Sequence, residues 1–210
     1  MISSSNQLAE YLLQIKAIQL NVQSPFTWAS GWKSPVYCDN RIILSYPEVR
    51  DYVKEHMVEM VRKNFPDANC IAGVATAGIP HAAMIADALG LPMVYVRDKP
   101  KGHGMQNTIE GRLPEYAKVV VVEDVISTGK SSLKAVEDLK RAGASIEGMA
   151  AIYTYEFTIA KNRFSELEIP LFTITNYSDL IAAAVRVGDV NSEYIPTLNE
   201  WREHPEIWKQ

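Results

Sequence analysis

The sequence predicts an α/β domain with an open, parallel central sheet and helices on both faces, and three observations carry that expectation. From Pro47 onward, apolar strand-like runs alternate with amphipathic helical stretches at the spacing of βαβ units. One run, Val119-Val120-Val121-Val122, is apolar at consecutive positions, as a strand covered on both faces must be. It delivers two carboxylates and then a turn of small hydroxylated residues and glycine, at the end of the sheet where such folds bind ligands.

Taken in order, Ser4 or Ser5 is expected to cap an opening amphipathic helix with apolar positions Leu8, Tyr11, Leu12, Ile15, Ile18 and Leu20. Two Pro and a Gly then punctuate the aromatic stretch from Ser24 to Arg41, which reads as two short strands outside the main sheet. A helix through Val49, Tyr52, Val53, Met57, Met60 and Val61 precedes the strand Cys70 to Ala75. A helix from His81 to Leu89 and the strand Met93 to Arg97 follow, then a polar stretch without period from Asp98 to Arg112. The central strand ends, on this reading, at Glu123 and Asp124. A helix from Gly129 to Ala142, a strand from Ile146 to Tyr155, a helix from Ile159 to Leu167 and a strand from Leu171 to Ile174 complete the alternation. In the tail from Pro196 to Gln210, a last short helix is expected to dock through Trp201 and Trp208.

The chain has 210 residues, no internal repeat and no low-complexity linker, which fits a single domain: about 1–45 as helix and short strands, 46–190 as core, 191–210 as tail. Twenty-one basic against twenty-five acidic side chains argue against a broad grip on nucleic acid and leave a small anion as a possible ligand. The start lacks the basic and apolar regions of a signal peptide, and no apolar run reaches the ~18 residues of a membrane span. Cys38 and Cys70 stand in no metal-ligand spacing. Cytoplasmic location and reduced thiols are the expectation.

Three strand-to-helix loops stand out: Ala75 to Pro80, the polar stretch Asp98 to Arg112, and Glu123-Asp124-Val125-Ile126-Ser127-Thr128-Gly129-Lys130-Ser131-Ser132. In the third, a helix N-terminus and the hydroxyls of Ser127, Thr128 and Ser131 suit a phosphate. Glu123 and Asp124 would repel that phosphate, so sugar hydroxyls or a divalent cation suit them better. Phosphate plus diol points to a ribose 5-phosphate. The second loop gathers Arg97, Lys99, Lys101, His103 and Arg112 among mobile glycines, either as a solvated loop or as a lid over an anion. Gly129-Lys130-Ser131 has the ending of a P-loop, but the opening glycine would have to be residue 124, which is Asp. Neither Gly73 to Gly78 nor Gly102-His103-Gly104 completes a nucleotide-binding fingerprint.

The segment from Val119 to Ser131 resembles the phosphoribosyl-diphosphate signature of the type I phosphoribosyltransferases: hydrophobic strand, acidic pair, then a hydroxyl and glycine loop. Phe26-Thr27-Trp28-Ala29-Ser30-Gly31, Lys33-Ser34-Pro35 and Tyr37-Cys38-Asp39-Asn40-Arg41 are similar to the N-terminal hood of that family's orotate branch. Arg97, Lys101, His103 and Gly104 match its catalytic loop.

The resemblance implies the type I phosphoribosyltransferase fold with a small N-terminal hood, and transfer of ribose 5-phosphate from 5-phospho-α-D-ribose 1-diphosphate to orotate. It implies that Val125, Ile126, Ser127, Thr128, Gly129, Lys130 and Ser131 surround the 5′-phosphate, with Ser127 also reaching orotate. Glu123 and Asp124 would bind the ribose hydroxyls, Asp124 at the reacting centre. Arg97, Lys101 and His103 would meet the diphosphate, with Mg²⁺ held mainly by substrate, in a homodimer whose active sites are shared. Some members carry Lys at the place of Ala29, other residues in place of Asp98 and Thr76-Ala77, and Arg near Tyr155. A purine phosphoribosyltransferase and a non-catalytic sensor of phosphoribosyl diphosphate are the alternatives.

Overall fold

The computed structural model describes residues 3–99 and 108–209. Helix α1 (Ser4–Gln14) opens the chain, but its cap is Ser3 and not Ser4 or Ser5. Ser3 alone keeps an extended backbone, and its hydroxyl accepts from the Asn6 N–H, while the Ser5 hydroxyl donates to Asp179. The expected continuation of this helix to Leu20 is also corrected. Lys16 takes φ 58°, which stops the helix, and Ile18–Leu20 becomes strand β1.

Strands β2 (Phe26–Thr27) and β3 (Lys33–Ser34) form a hairpin, and β4 (Val36–Cys38) pairs antiparallel with β1. The N-terminal segment thus holds four short strands in two ladders among the described residues, where two strands were expected. A 3₁₀ turn at Asn40–Ser45 leads into α2 (Pro47–Asn64), whose Pro sits at the helix start, where a missing N–H costs nothing.

The core then alternates: β5 (Cys70–Val74), α3 (Gly78–Leu89), β6 (Met93–Val96), β7 (Ile109–Glu110), β8 (Lys118–Ile126), α4 (Lys130–Arg141), β9 (Ser145–Thr154), α5 (Thr158–Glu166), β10 (Leu171–Asn176) and α6 (Tyr177–Val187). Six of these strands form one sheet in the order β10-β9-β8-β5-β6-β7, parallel throughout except for the edge strand β7. Strand β7 and helix α6 have no counterpart among the elements expected from sequence. The first is two residues long, too short for a period to register; the second starts directly where β10 ends, so no turn residues separate them.

Val119 and Val121 of β8 pack toward α4 and α5, and Val120 and Val122 toward α1, α2, α3 and α6. All four are fully buried, which is why the strand reads as a continuous apolar run. The strand does not stop at its carboxylates. Val125 and Ile126 continue the ladder opposite Tyr153 and Thr154, so the acidic pair lies inside the strand. Helix α7 (Ile195–Glu203) ends the regular structure, with Trp201 and Trp208 buried as expected and Ile207 left exposed. The Tyr177 hydroxyl donates to Leu198 O at 2.8 Å and ties α7 to α6.

Gly78, the first residue of α3, sets how closely that helix approaches β8. A Cβ there would stand 2.6 Å from Val122 O and 3.5 Å from Glu123 Cα, both rigid backbone atoms. Gly78→Ala is therefore expected to destabilise the fold by roughly 1–3 kcal/mol through overpacking. Urea unfolding measures it, and an unchanged midpoint would contradict the close approach.

Candidate active site

The carboxyl ends of β5, β6 and β8 bring the unusual loops to one edge of the sheet, with the N-terminal hairpin above them. Glu123 and Asp124 are both nearly fully buried there. Glu123 Oε1 accepts from the Asp124 N–H and Oε2 from the Ser132 hydroxyl, each at 3.1 Å. Burial pushes the Glu123 carboxyl well above the ordinary range, and the charge of Asp124 adds to the rise. Burial raises Asp124 too, against the lowering effects of hydrogen bonds from Glu123 and the backbone and of the Arg41 charge. Two adjacent buried carboxyls cannot both hold a full charge cheaply, and a cation or hydroxyl donors beside them would offset that cost.

Beyond the pair, Ser127, Thr128 and Gly129 make the turn into α4. Gly129 takes φ 73°, and a Cβ there would meet the Phe164 ring at 2.9 Å, so glycine is required twice over. Arg163 of α5 donates to Thr128 O at 2.8 Å and fixes the turn from outside. The first N–H groups of α4 have no intrahelical acceptors, and with the Ser127 and Thr128 hydroxyls they make an anion site.

Of the other residues singled out from sequence, Lys130 and Ser131 are exposed on the first turn of α4, and Val125 lines the cavity described below. Ile126 is fully buried against the α4 side of the sheet, so only its backbone is available to a ligand. Arg97 lies just beyond β6; its N–H donates to Thr108 O, and its guanidinium pairs with Glu110 at 3.3 Å. Lys101 and His103 lie outside the described residues. His81, expected from sequence as the start of a helix, is buried with neither ring nitrogen partnered among the described residues, and burial lowers its pKa to about 4.

A cavity of about 260 Å³ separates the hood from β8, lined by Thr27, Trp28, Ala29, Tyr37, Cys38, Val125, Ser127 and Tyr155. Burial raises the Cys38 thiol and the Tyr155 phenol, so both walls are neutral, and Trp28 and Tyr155 present rings 5.0 Å apart. The space suits a flat ring. Asn40 donates to Asp124 O at 2.9 Å and pins the base of the hood to β8 beside the acidic pair. Sequence reasoning placed Trp28 and Asn40 in hood-like segments without giving Asn40 a contact, and did not single out Arg163. The contacts of Asn40 and Arg163 run over 84 and 35 residues of chain to Asp124 and Thr128, and no local pattern announces them.

The raised Glu123 carboxyl has a consequence for stability. A group whose folded pKa exceeds its unfolded value, about 4.3 for Glu, stabilises the fold below that value and loses the contribution as pH rises through the folded pKa. The ligand-free protein is expected to lose unfolding free energy above about pH 4.3 for this reason, and Glu123→Gln to flatten the loss. Denaturant titrations over a pH series measure both, and parallel profiles for the two proteins would contradict a protonated Glu123.

Residues 41–185 match the phosphoribosyl transferase domain family. The chain is 52% identical over 206 residues to an orotate phosphoribosyltransferase of Cytophaga hutchinsonii, covering 98% of this chain and 99% of that one. It is 55% identical over 201 residues to the orotate phosphoribosyltransferase of Bacteroides fragilis, covering 96% and 95%. Among solved structures, the orotate phosphoribosyltransferase of Aeropyrum pernix superposes with a TM-score of 0.74 at 29% identity, over 86% of this chain and 98% of that one. With strand, acidic pair, phosphate turn and hood all present in the fold, the chain belongs to the phosphoribosyl transferase family, on its orotate phosphoribosyltransferase branch.

Proposed function

We propose that this chain moves the 5-phosphoribosyl group from 5-phospho-α-D-ribose 1-diphosphate to a ring nitrogen of orotate, releasing diphosphate and orotidine 5′-monophosphate. The observation that carries this reading is the neutral, aromatic-walled cavity that shares Val125 and Ser127 with the phosphate turn. A flat base in the cavity and a phosphate on the turn would stand on either side of a ribose whose hydroxyls face Asp124.

Breaking the anomeric C–O bond places positive charge on the ribose ring and negative charge on the departing diphosphate. The protein's task is to hold the partners in line and stabilise that charge. The turn from Ser127 to Ser131 holds the 5′-phosphate. Asp124 takes the ribose hydroxyls, while both Glu123 oxygens are engaged by Ser132 and the Asp124 N–H. Arg97, Lys101 and His103 meet the diphosphate. Orotate brings its own nucleophilic ring nitrogen, and Cys38 and Tyr155, with pKa values raised by burial, stay neutral beside it. A nearby cation for the orotate carboxylate is Lys33, whose amine donates to Thr27 on the cavity wall at 2.9 Å.

Mg²⁺ belongs to this reading. The substrate's diphosphate and ribose hydroxyls would hold it in the main, with the buried carboxyls of Glu123 and Asp124 beside that place. When bound it supplies Lewis-acid stabilisation of the leaving group. The cytoplasm is its proposed location, in keeping with free Cys38 and Cys70, and no helix among the described residues is long and apolar enough to cross a membrane.

A homodimer with shared active sites is also part of the proposal. Helix α3 carries one charged residue, Asp87, yet leaves Ile79, Pro80 and Met84 half-covered and Ala83 and Ala88 exposed, a largely apolar face. Light scattering at micromolar concentration is expected to give twice the mass of one chain, and a monomer at all concentrations would contradict it.

Loss of orotate absorbance with phosphoribosyl diphosphate and Mg²⁺, run beside adenine, hypoxanthine, xanthine and uracil, tests the reaction. Turnover is expected with orotate alone, falling by about 10²-fold or more in Lys101→Ala if that ammonium stabilises the leaving group. Turnover with a purine only would transfer the reading to a purine enzyme, and diphosphate-sugar binding without turnover would make the chain a sensor.

A further inference from the structure

We propose that Trp201 of the C-terminal helix is a positioning residue of the base site, one that sets affinity for orotate while leaving the sugar diphosphate site untouched. The proposal rests on the reading above and extends it to a helix beyond the residues that match the family, 41–185.

Trp201 is fully buried although it belongs to the tail. Its indole lies edge-on to Trp28 at 5.8 Å and to Tyr155 at 5.7 Å, and these two rings, themselves packed together at 5.0 Å, both line the cavity. Phe157 at 5.3 Å and Tyr177 at 5.5 Å complete the cluster around it. Its Nε1 donates to Lys33 O at 3.1 Å. Lys33 pairs in the hairpin with Thr27, the residue before Trp28, and Thr27, Trp28 and Ala29 line the cavity. One side chain therefore touches the hood wall twice and the sheet wall once.

The hood needs such a brace. Its hairpin has two residues in each strand, and a ladder that short does not hold its own shape in water. Trp28 is braced on one side by its own Nε1 donating to Val36 O at 3.1 Å, and on the other by Trp201. The brace is itself anchored: Tyr177 donates to Leu198 O, and Arg202 stacks over the Tyr177 ring at 5.9 Å. The phosphate turn is fixed independently, by Arg163 and Gly129, neither of which belongs to this cluster. Loss of Trp201 should thus loosen the base wall selectively.

Steady-state kinetics on Trp201→Leu and Trp201→Phe, with each substrate varied in turn, test this. Removal of four ring contacts, two of them to cavity-lining rings, and one hydrogen bond in Trp201→Leu is expected to raise KM for orotate about tenfold. KM for phosphoribosyl diphosphate should stay within about twofold and kcat within a few-fold, since the groups acting on the leaving diphosphate are untouched. Trp201→Phe keeps a ring between Trp28 and Tyr155 and loses only the bond to Lys33, so it should fall between wild type and Trp201→Leu, and it remains decisive if the leucine variant fails to fold. A merely structural tryptophan would lower the melting temperature with both KM values unchanged, and a general loosening would raise both together; either result overturns the proposal. Failure of wild-type protein to turn over orotate would instead remove the reading on which it rests.

Discussion

Two carboxyl groups buried side by side within a strand that is itself covered on both faces are the constraint around which this molecule is arranged. Such a pair is costly unless every oxygen finds a partner and at least one charge is neutralised. The fold responds locally. Ser132 from the first turn of α4 and the Asp124 N–H satisfy Glu123, the close approach at Gly78 seals the pair from the α3 side, and Asn40 closes on Asp124 O from the hood. The partners of the pair are neutral donors and the more distant charge of Arg41, so a ligand that brings hydroxyls and a cation would suit it. A ribose carrying a diphosphate brings the first, and its metal the second.

Outward from that strand, two different kinds of recognition are built on separate supports. The phosphate turn relies on backbone: a left-handed glycine, a helix N-terminus and an arginine holding a carbonyl. The base cavity relies on aromatic packing between hood, sheet and tail, with ring separations of 5.0 to 5.8 Å linking Trp28, Tyr155 and Trp201. Electrostatics divides in the same way. The turn end concentrates polar donors, while burial keeps the thiol of Cys38 and the phenols of Tyr153 and Tyr155 protonated around the base.

The sheet was legible because burial on both faces leaves its mark on every residue of β5 and β8, and the phosphate turn was legible because small hydroxylated residues and glycine have few other reasons to follow such a strand. What escaped was set by tertiary contact. Ile18 and Leu20 fit a helical period as well as a strand period, and only the pairing with β4 and the positive φ of Lys16 decide for the strand. Helix α6 follows β10 without an intervening turn, and the one mark of its start is Asn176, the last residue of the strand, which caps it by accepting from the Asp179 N–H. The roles of Trp28 and Trp201 depend on a contact across 173 positions, invisible to any local pattern. Lys101 and His103 rest on resemblance alone.

A crystal structure of the protein with orotidine 5′-monophosphate tests the central claim most directly. The account places phosphate oxygens within hydrogen-bond distance of the Thr128 to Ser131 backbone, ribose hydroxyls on Asp124, and the pyrimidine in the hood cavity lined by Trp28 and Tyr155. A nucleotide bound with its phosphate away from that turn, or its base outside the hood cavity, would contradict it.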